Sequence, residues 1–243
     1  MTITLNPSKV TRFFGKIILF LILADVAGII SRFYFHHEFV FGLVPLFDLD
    51  VEYNIPSYFS SALLLFCFIL LWFIAWASLN EKKKDYWYWA GLRLIFLFLA
   101  IDEAMEIHES VIVPLRSLFH LSGIFYFAWV IPYGIFAGLI GVLYWKFMFK
   151  LPAGVRARMF IAAALYIFGA LGFELISGSY CAITHEQTDL TFAIMALCEE
   201  SLEMVGVLFF IYALLDYIGR ELNHASASLT IIFASPKHSH GKR

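Results

Sequence analysis

Charge is scarce in this chain. Only 15% of its 243 residues are Asp, Glu, Lys or Arg, while 61% are hydrophobic. Soluble domains carry about a quarter charged and about half apolar residues, so an ordinary water-soluble fold is excluded. No basic excess exists either: the net charge is −2, and nucleic acid is not an expected partner. The three cysteines, Cys67, Cys181 and Cys198, lie in or beside apolar segments and form no C-x-x-C or Cys/His spacing. A zinc finger or thioredoxin-like site is thereby excluded, and they read as small core residues. No H-x-x-x-H occurs, which sets aside the three-histidine zinc hydrolases of membranes. His108 alone lies well inside an apolar segment, one axial ligand too few for a typical haem subunit. No repeat at a fixed period is visible, so the usual signature of alternating-access transporters is missing.

What is present is a series of long apolar runs. A span needs about 20 mostly apolar residues. Such segments cover about Phe14–Phe35, Ser57–Leu79, Tyr86–Val113, Gly123–Phe149, Arg158–Ile183 and Leu190–Ile218. Lys9, Arg12 and Lys16 precede the first, but no convincing small-x-small cleavage site follows, so it reads as a retained helix. The expected fold is an all-α, polytopic transmembrane helix bundle of six spans in one domain, 1–222, with a flexible polar tail, 223–243. His238 and His240 in that tail are too few for a metal tract.

The basic residues orient this bundle. Lys9, Arg12 and Lys16 flank the first span, Lys82, Lys83 and Lys84 follow the second, and Lys146, Lys150, Arg156 and Arg158 follow the fourth. Arg220, Lys237, Lys242 and Arg243 follow the sixth. Most of the 17 basic residues thus fall on one side, which predicts cytoplasmic N- and C-termini in a plasma (inner) membrane. Trp72, Trp76, Trp87, Trp89 and Trp145 fit an aromatic belt on that side and Trp129 one on the other. Pro132 is a candidate kink in the fourth span.

The acids carry the functional signal. Asp102, Glu103, Glu106 and Glu109 lie in the third segment with His108, Glu174 lies in the fifth, and Glu199, Glu200 and Glu203 lie in the sixth. At 1.5 Å per residue, Asp102 is ~20 Å above the inner end of its span, Glu174 ~24 Å, Glu203 ~22 Å and Glu199 ~28 Å. Three helices therefore bring acids to one depth, in the outer half. At 100° per residue, Asp102, Glu106 and Glu109 share one face, with Glu103 beside them, and Glu199, Glu200 and Glu203 share another. A carboxylate in hydrocarbon is costly and marks a functional site by default. So many cannot all ionise without protons, cations or water to compensate. Oxygen ligands with one imidazole suit Mg, Mn, Ca or Fe and tolerate Zn. Asp102, Glu103, Glu106, His108, Glu109, Glu174, Glu199, Glu200 and Glu203 are therefore the candidate ligands of a divalent metal ion. The pattern departs from two-metal bundles, because no glutamate stands three residues before His108. A blander reading stays open: the third span ends near Ile101, and Asp102–Glu109 is a solvated outer helix.

Other features read as structural. Gly169 and Gly172 permit close helix approach near Glu174. Arg32, high in the first span, is a candidate partner for the acids. Asp25 reads as a structural hydrogen-bonding residue and Asp216 as a solvated one. Asp48, Asp50 and Glu52 alternate in the longest outer loop, without the glycine and distal glutamate of a calcium loop, and read first as a solvated acidic stretch.

The run Asp48-Leu-Asp-Val-Glu-Tyr-Asn-Ile-Pro-Ser-Tyr-Phe-Ser-Ser61 resembles a family of bacterial polytopic membrane proteins of unassigned function. So do the blocks Ile101-Asp-Glu-Ala-Met-Glu-Ile-His-Glu109 and Glu199-Glu-Ser-Leu-Glu-Met204. The resemblance spans most of the six-segment region, not the tail, and implies no activity or residue role. Two function classes remain: a metal-dependent reaction on a lipid-like or membrane-embedded substrate, or a proton- or cation-coupled transporter. A structural subunit is weaker. Membrane lipid is the expected partner, and a homo-oligomer is compatible with the sequence.

Overall fold

A computed structural model describes residues 6–222. The tail expected over 223–243, with His238 and His240, and the cations Lys237, Lys242 and Arg243 lie outside the described residues. The long helices are α1 (Pro7–Phe33), α2 (Ile55–Asn80), α3 (Tyr86–Met105), α4 (Val130–Met148), α5 (Ala153–Thr184) and α6 (Leu190–Leu222). Among the described residues, α1, α2, α4, α5 and α6 are long and apolar enough to cross a membrane. These mark the chain as a helical membrane protein. The third segment, α3, is 20 residues long and carries Arg93, Asp102 and Glu103, and it falls outside that set.

Local chemistry sets the helix starts. Asn6 caps α1 by accepting the Lys9 N–H at 3.2 Å, and Pro7 follows at the first turn, where its missing N–H costs nothing. Asn54 and Ser57 form a reciprocal capping box for α2. The Asn54 amide also donates to the carbonyls of Pro45 and Asp48, at 3.1 and 2.6 Å, tying the preceding loop to the helix. Asp189 caps α6 through the Phe192 N–H at 3.0 Å.

Packing is uneven. Helices α2 and α3 lie along each other as a hairpin, α6 packs on α1, α2 and α5, and the buried core runs through α2 and α6. Gly206 of α6 meets α5 so closely that a Cβ there would stand 2.8 Å from the Tyr166 nitrogen. Gly169 similarly abuts α6, with Glu199 O 2.9 Å from its notional Cβ, as expected from the sequence. Gly172 does not: its Cβ would meet its own helix's Phe168 ring. Around these glycines, Phe168–Phe173, the helix widens to π geometry. Trp89 and Trp129 are buried rather than placed in an aromatic belt, whereas Trp72, Trp76, Trp87 and Trp145 are exposed. Pro132 sits in the first turn of α4, where proline is tolerated, so the expected kink has no cause.

Helix α4 is the exception to close packing. It is pinned near its two ends. Tyr133 donates to Asp102 at 2.9 Å, and Tyr144 donates to the Tyr88 carbonyl at 3.0 Å. Phe147 stacks on Tyr88 with ring centroids 4.6 Å apart. Between the pins, Cβ atoms at Gly138 and Gly141 would meet nothing within 4 Å. The helix stands off from its neighbours there.

Candidate functional site

The gap beside α4 is one end of a cavity of about 1110 Å³. Its other end, at the C-terminal end of α3, is lined by Asp102, Glu103, His108, Glu109, Glu174, Glu199, Glu200 and Glu203. The structure therefore gathers into one chamber acids that the sequence places on three separate segments. Glu106 is not among the lining residues.

The reason is a break in the chain. Helix α3 stops at Met105, Glu106 takes a left-handed conformation (φ 52°), and short helices follow over Ile107–Ser110 and Ile112–Phe119. A continuous helix to Val113 does not form. The angular relation between Asp102, Glu106 and Glu109 is lost with it. In exchange, the chain folds back on Asp102. The His108 backbone N–H donates to Asp102 Oδ1 at 2.9 Å, and His108 Nδ1 lies 3.2 Å from Asp102 Oδ2. Nδ1 thus faces the carboxylate, and the ring itself lines the chamber. Tyr133 donates to the same carboxylate, and the His108 ring lies 4.9 Å from that of Trp129. Asp102 is thus buried at the chamber wall, meets three donors and orients His108.

Glu174 is likewise held. It accepts from Trp129 Nε1 at 2.6 Å and from Ser177 Oγ at 3.2 Å. Tyr166 stands beside Glu203. The carboxylates of Glu103, Glu199 and Glu200 accept no hydrogen bond from any described side chain. Among the described residues, no group of three or more His, Cys, Asp and Glu is arranged to hold a metal ion.

Two further acids enter from the loop before α2. Asp50 and Glu52 line the chamber. Their alternation with Asp48 was the only signal in the sequence, and it reads first as a solvated loop. Burial, with the charge of Glu103 beside it, pushes the Glu52 carboxyl up from 4.5 to about 8. Asp48 turns away: it pairs with Arg32 at 3.6 Å, and Arg32 also donates to the Thr188 carbonyl at 2.9 Å. Arg32 is therefore occupied outside the chamber. Asp25 is buried in α1, beside the Leu49 backbone of the same loop. Asp216, expected to be solvated, pairs with Arg158 at 2.7 Å and Arg220 at 2.8 Å. Trp129, Tyr133 and Tyr166 had no signal in the sequence, since an aromatic residue in an apolar run reads first as packing.

The profile of a family described as a domain of unknown function (DUF8692) matches residues 17–217, nearly all of the helical region. The chain belongs to this family. No curated protein and no solved structure matches it. The matched stretch contains every chamber residue, so the site and the family unit coincide.

Proposed function

We propose that this DUF8692 protein binds a divalent cation in its acid-lined chamber and uses it in a reaction on a lipid-like or membrane-embedded substrate. The observation that carries this reading is the Asp102–His108 pair. Asp102 meets Nδ1 of an imidazole that lines the chamber with Glu103, Glu199 and Glu200, whose carboxylates accept from no described side chain. A carboxylate on the other ring nitrogen is a usual outer support of a metal-ligating histidine. The lining contains no Lys or Arg at the acidic end, so the negative charge needs an external cation or protons. Glu103, Glu109, Glu174, Glu199, Glu200, Glu203 and His108 are the candidate ligands, drawn inward from the chamber wall as a cation neutralises their repulsion. Glu106 is a rim residue in this reading and Asp102 a positioning residue. A bound divalent ion would supply Lewis acidity or an activated water. His108 Nε2, if not a ligand, accepts the proton.

The membrane frame belongs to the same proposal. Helix α3 pairs with α2 along its length and serves as the sixth span, its acids turned to the chamber instead of lipid. The cationic loops then face the cytoplasm with both termini, and the chamber lies in the outer half of a plasma membrane. A second reading, proton- or cation-coupled transport, draws on the length of the cavity, which extends from Glu109 to Lys146. Elemental analysis of protein purified without chelator separates the two. Stoichiometric metal in the native protein, lost in Glu103→Gln/Glu200→Gln, is expected. Its absence, together with cation flux in proteoliposomes, would replace the first reading with the second.

A further inference from the structure

The limb of the cavity that the metal reading leaves unused is the slot beside α4. Its walls are apolar and come from several helices: Ile95 and Leu99 of α3, Gly138 and Gly141 of α4, and Ala163 and Ile167 of α5. Tyr133 and Tyr144 pin the helix at either end of the slot, about 16 Å apart at 1.5 Å per residue. That is the extended length of roughly a dodecyl chain. Gly138, Gly141 and Ile167 are exposed, so the slot also opens sideways between α4 and α5.

One end of this continuous space is strongly acidic and the other is hydrocarbon-like. The acidic end offers carboxylates and a single imidazole, and Lys146 at the far end is the nearest ammonium in the lining. With no metal ion bound, an anionic head group would meet repulsion there, and an uncharged one would leave the charge unanswered. We propose that the cavity receives a long-chain amphiphile with a basic amine head, its ammonium among Glu103, Glu199 and Glu200 and its chain in the slot beside α4. This deepens the reading of the chamber as a site for a lipid-like substrate and rests on it. A chain moving from bilayer to slot exchanges one apolar environment for another and gains little free energy. The head therefore supplies the affinity, and the slot decides which chains are admitted.

The test is equilibrium binding of radiolabelled dodecylamine to the full chain in lipid nanodiscs, in competition with dodecanol, dodecyl phosphate and butylamine. Binding of Mn²⁺ is measured on the same samples. Dodecylamine is expected to saturate and to compete at least about tenfold better than dodecyl phosphate, a factor equivalent to about 1.4 kcal/mol. Gly138→Leu/Gly141→Leu, which fills the slot, is expected to weaken dodecylamine about tenfold or more while butylamine and Mn²⁺ bind as before. Gly138→Ala/Gly141→Ala keeps most of the space and should bind dodecylamine normally, which separates filling from misfolding. Equal or tighter binding of dodecyl phosphate to chelator-treated protein would overturn the proposal. So would dodecylamine binding that is indifferent to the leucines, or leucines that dissociate a dimer, since the slot would then be a contact between copies. Slot-dependent amine binding without Mn²⁺ binding would sink the metal reading alone; Mn²⁺ binding with no amine effect would sink this one alone.

Discussion

At the scale of single residues, the chamber depends on which carboxylates have donors. Asp102 has three: the His108 backbone, the His108 ring and Tyr133. Asp102→Asn preserves the shape but presents an amide that can donate back, so the imidazole loses its enforced tautomer. If the metal reading holds, affinity for the ion should fall about 10–100-fold, as for other outer-support changes, without a comparable loss of melting temperature. Tyr133→Phe removes one of the three donors and should cost about 1 kcal/mol, read from denaturant or thermal unfolding in detergent. Glu52 makes a pH prediction. Its carboxyl is raised in the folded protein from 4.5 to about 8, so the fold favours its protonated form. The corresponding stability is fully present below about 4.5 and is lost as pH rises through about 8. In chelator, the wild type should lose melting temperature across that window, and Glu52→Gln should flatten the decline. A slope unchanged by the substitution would place the effect on other acids.

At the scale of elements, the close crossing of α5 and α6 positions half of the chamber. Gly206→Leu would drive a side chain into the Tyr166 backbone, and overpacking of this kind typically costs 1–3 kcal/mol or more, about what one expects here. Gly169→Ala places a methyl against Glu199 O and Glu203 and should disturb cation binding beyond its effect on stability. Measuring both quantities on both variants distinguishes them: Gly206 meets the Tyr166 and Ala162 backbone of α5, whereas Gly169 meets Glu199 O and the Glu203 backbone directly. Asn54→Ala removes a helix cap and two loop ties. A cost of about 1–2 kcal/mol is expected, together with release of Asp50 and Glu52 from the chamber wall.

At the scale of the whole molecule, the topology proposal is testable with reporters. Tags on the two ends should report the same compartment, and a Glu38→Cys variant should be labelled by an impermeant reagent from the opposite side. Labelling of Glu38→Cys from the side of the tags would reverse the proposed depth of the chamber. Much of this architecture was legible in the sequence. Apolar length marks the helices, since no other structure satisfies backbone groups in hydrocarbon. Rise per residue predicts one level for the acids of α3, α5 and α6, and these residues line one cavity. The third segment was legible only in part. Its acids and histidine were visible, but a continuous helix was expected where Glu106 turns the chain, because the sequence there carries no glycine or proline to announce a break. The sequence by itself determined a helical membrane protein with its acids gathered toward one end. Tertiary structure alone decided that Asp102 orients His108, that Glu106 is left at the rim, that Asp50 and Glu52 join from a loop, and that α4 stands off to open a slot. The division has a physical cause. Hydropathy and helical rise are local properties of consecutive residues, whereas hydrogen-bond partners and empty space depend on how close distant helices come.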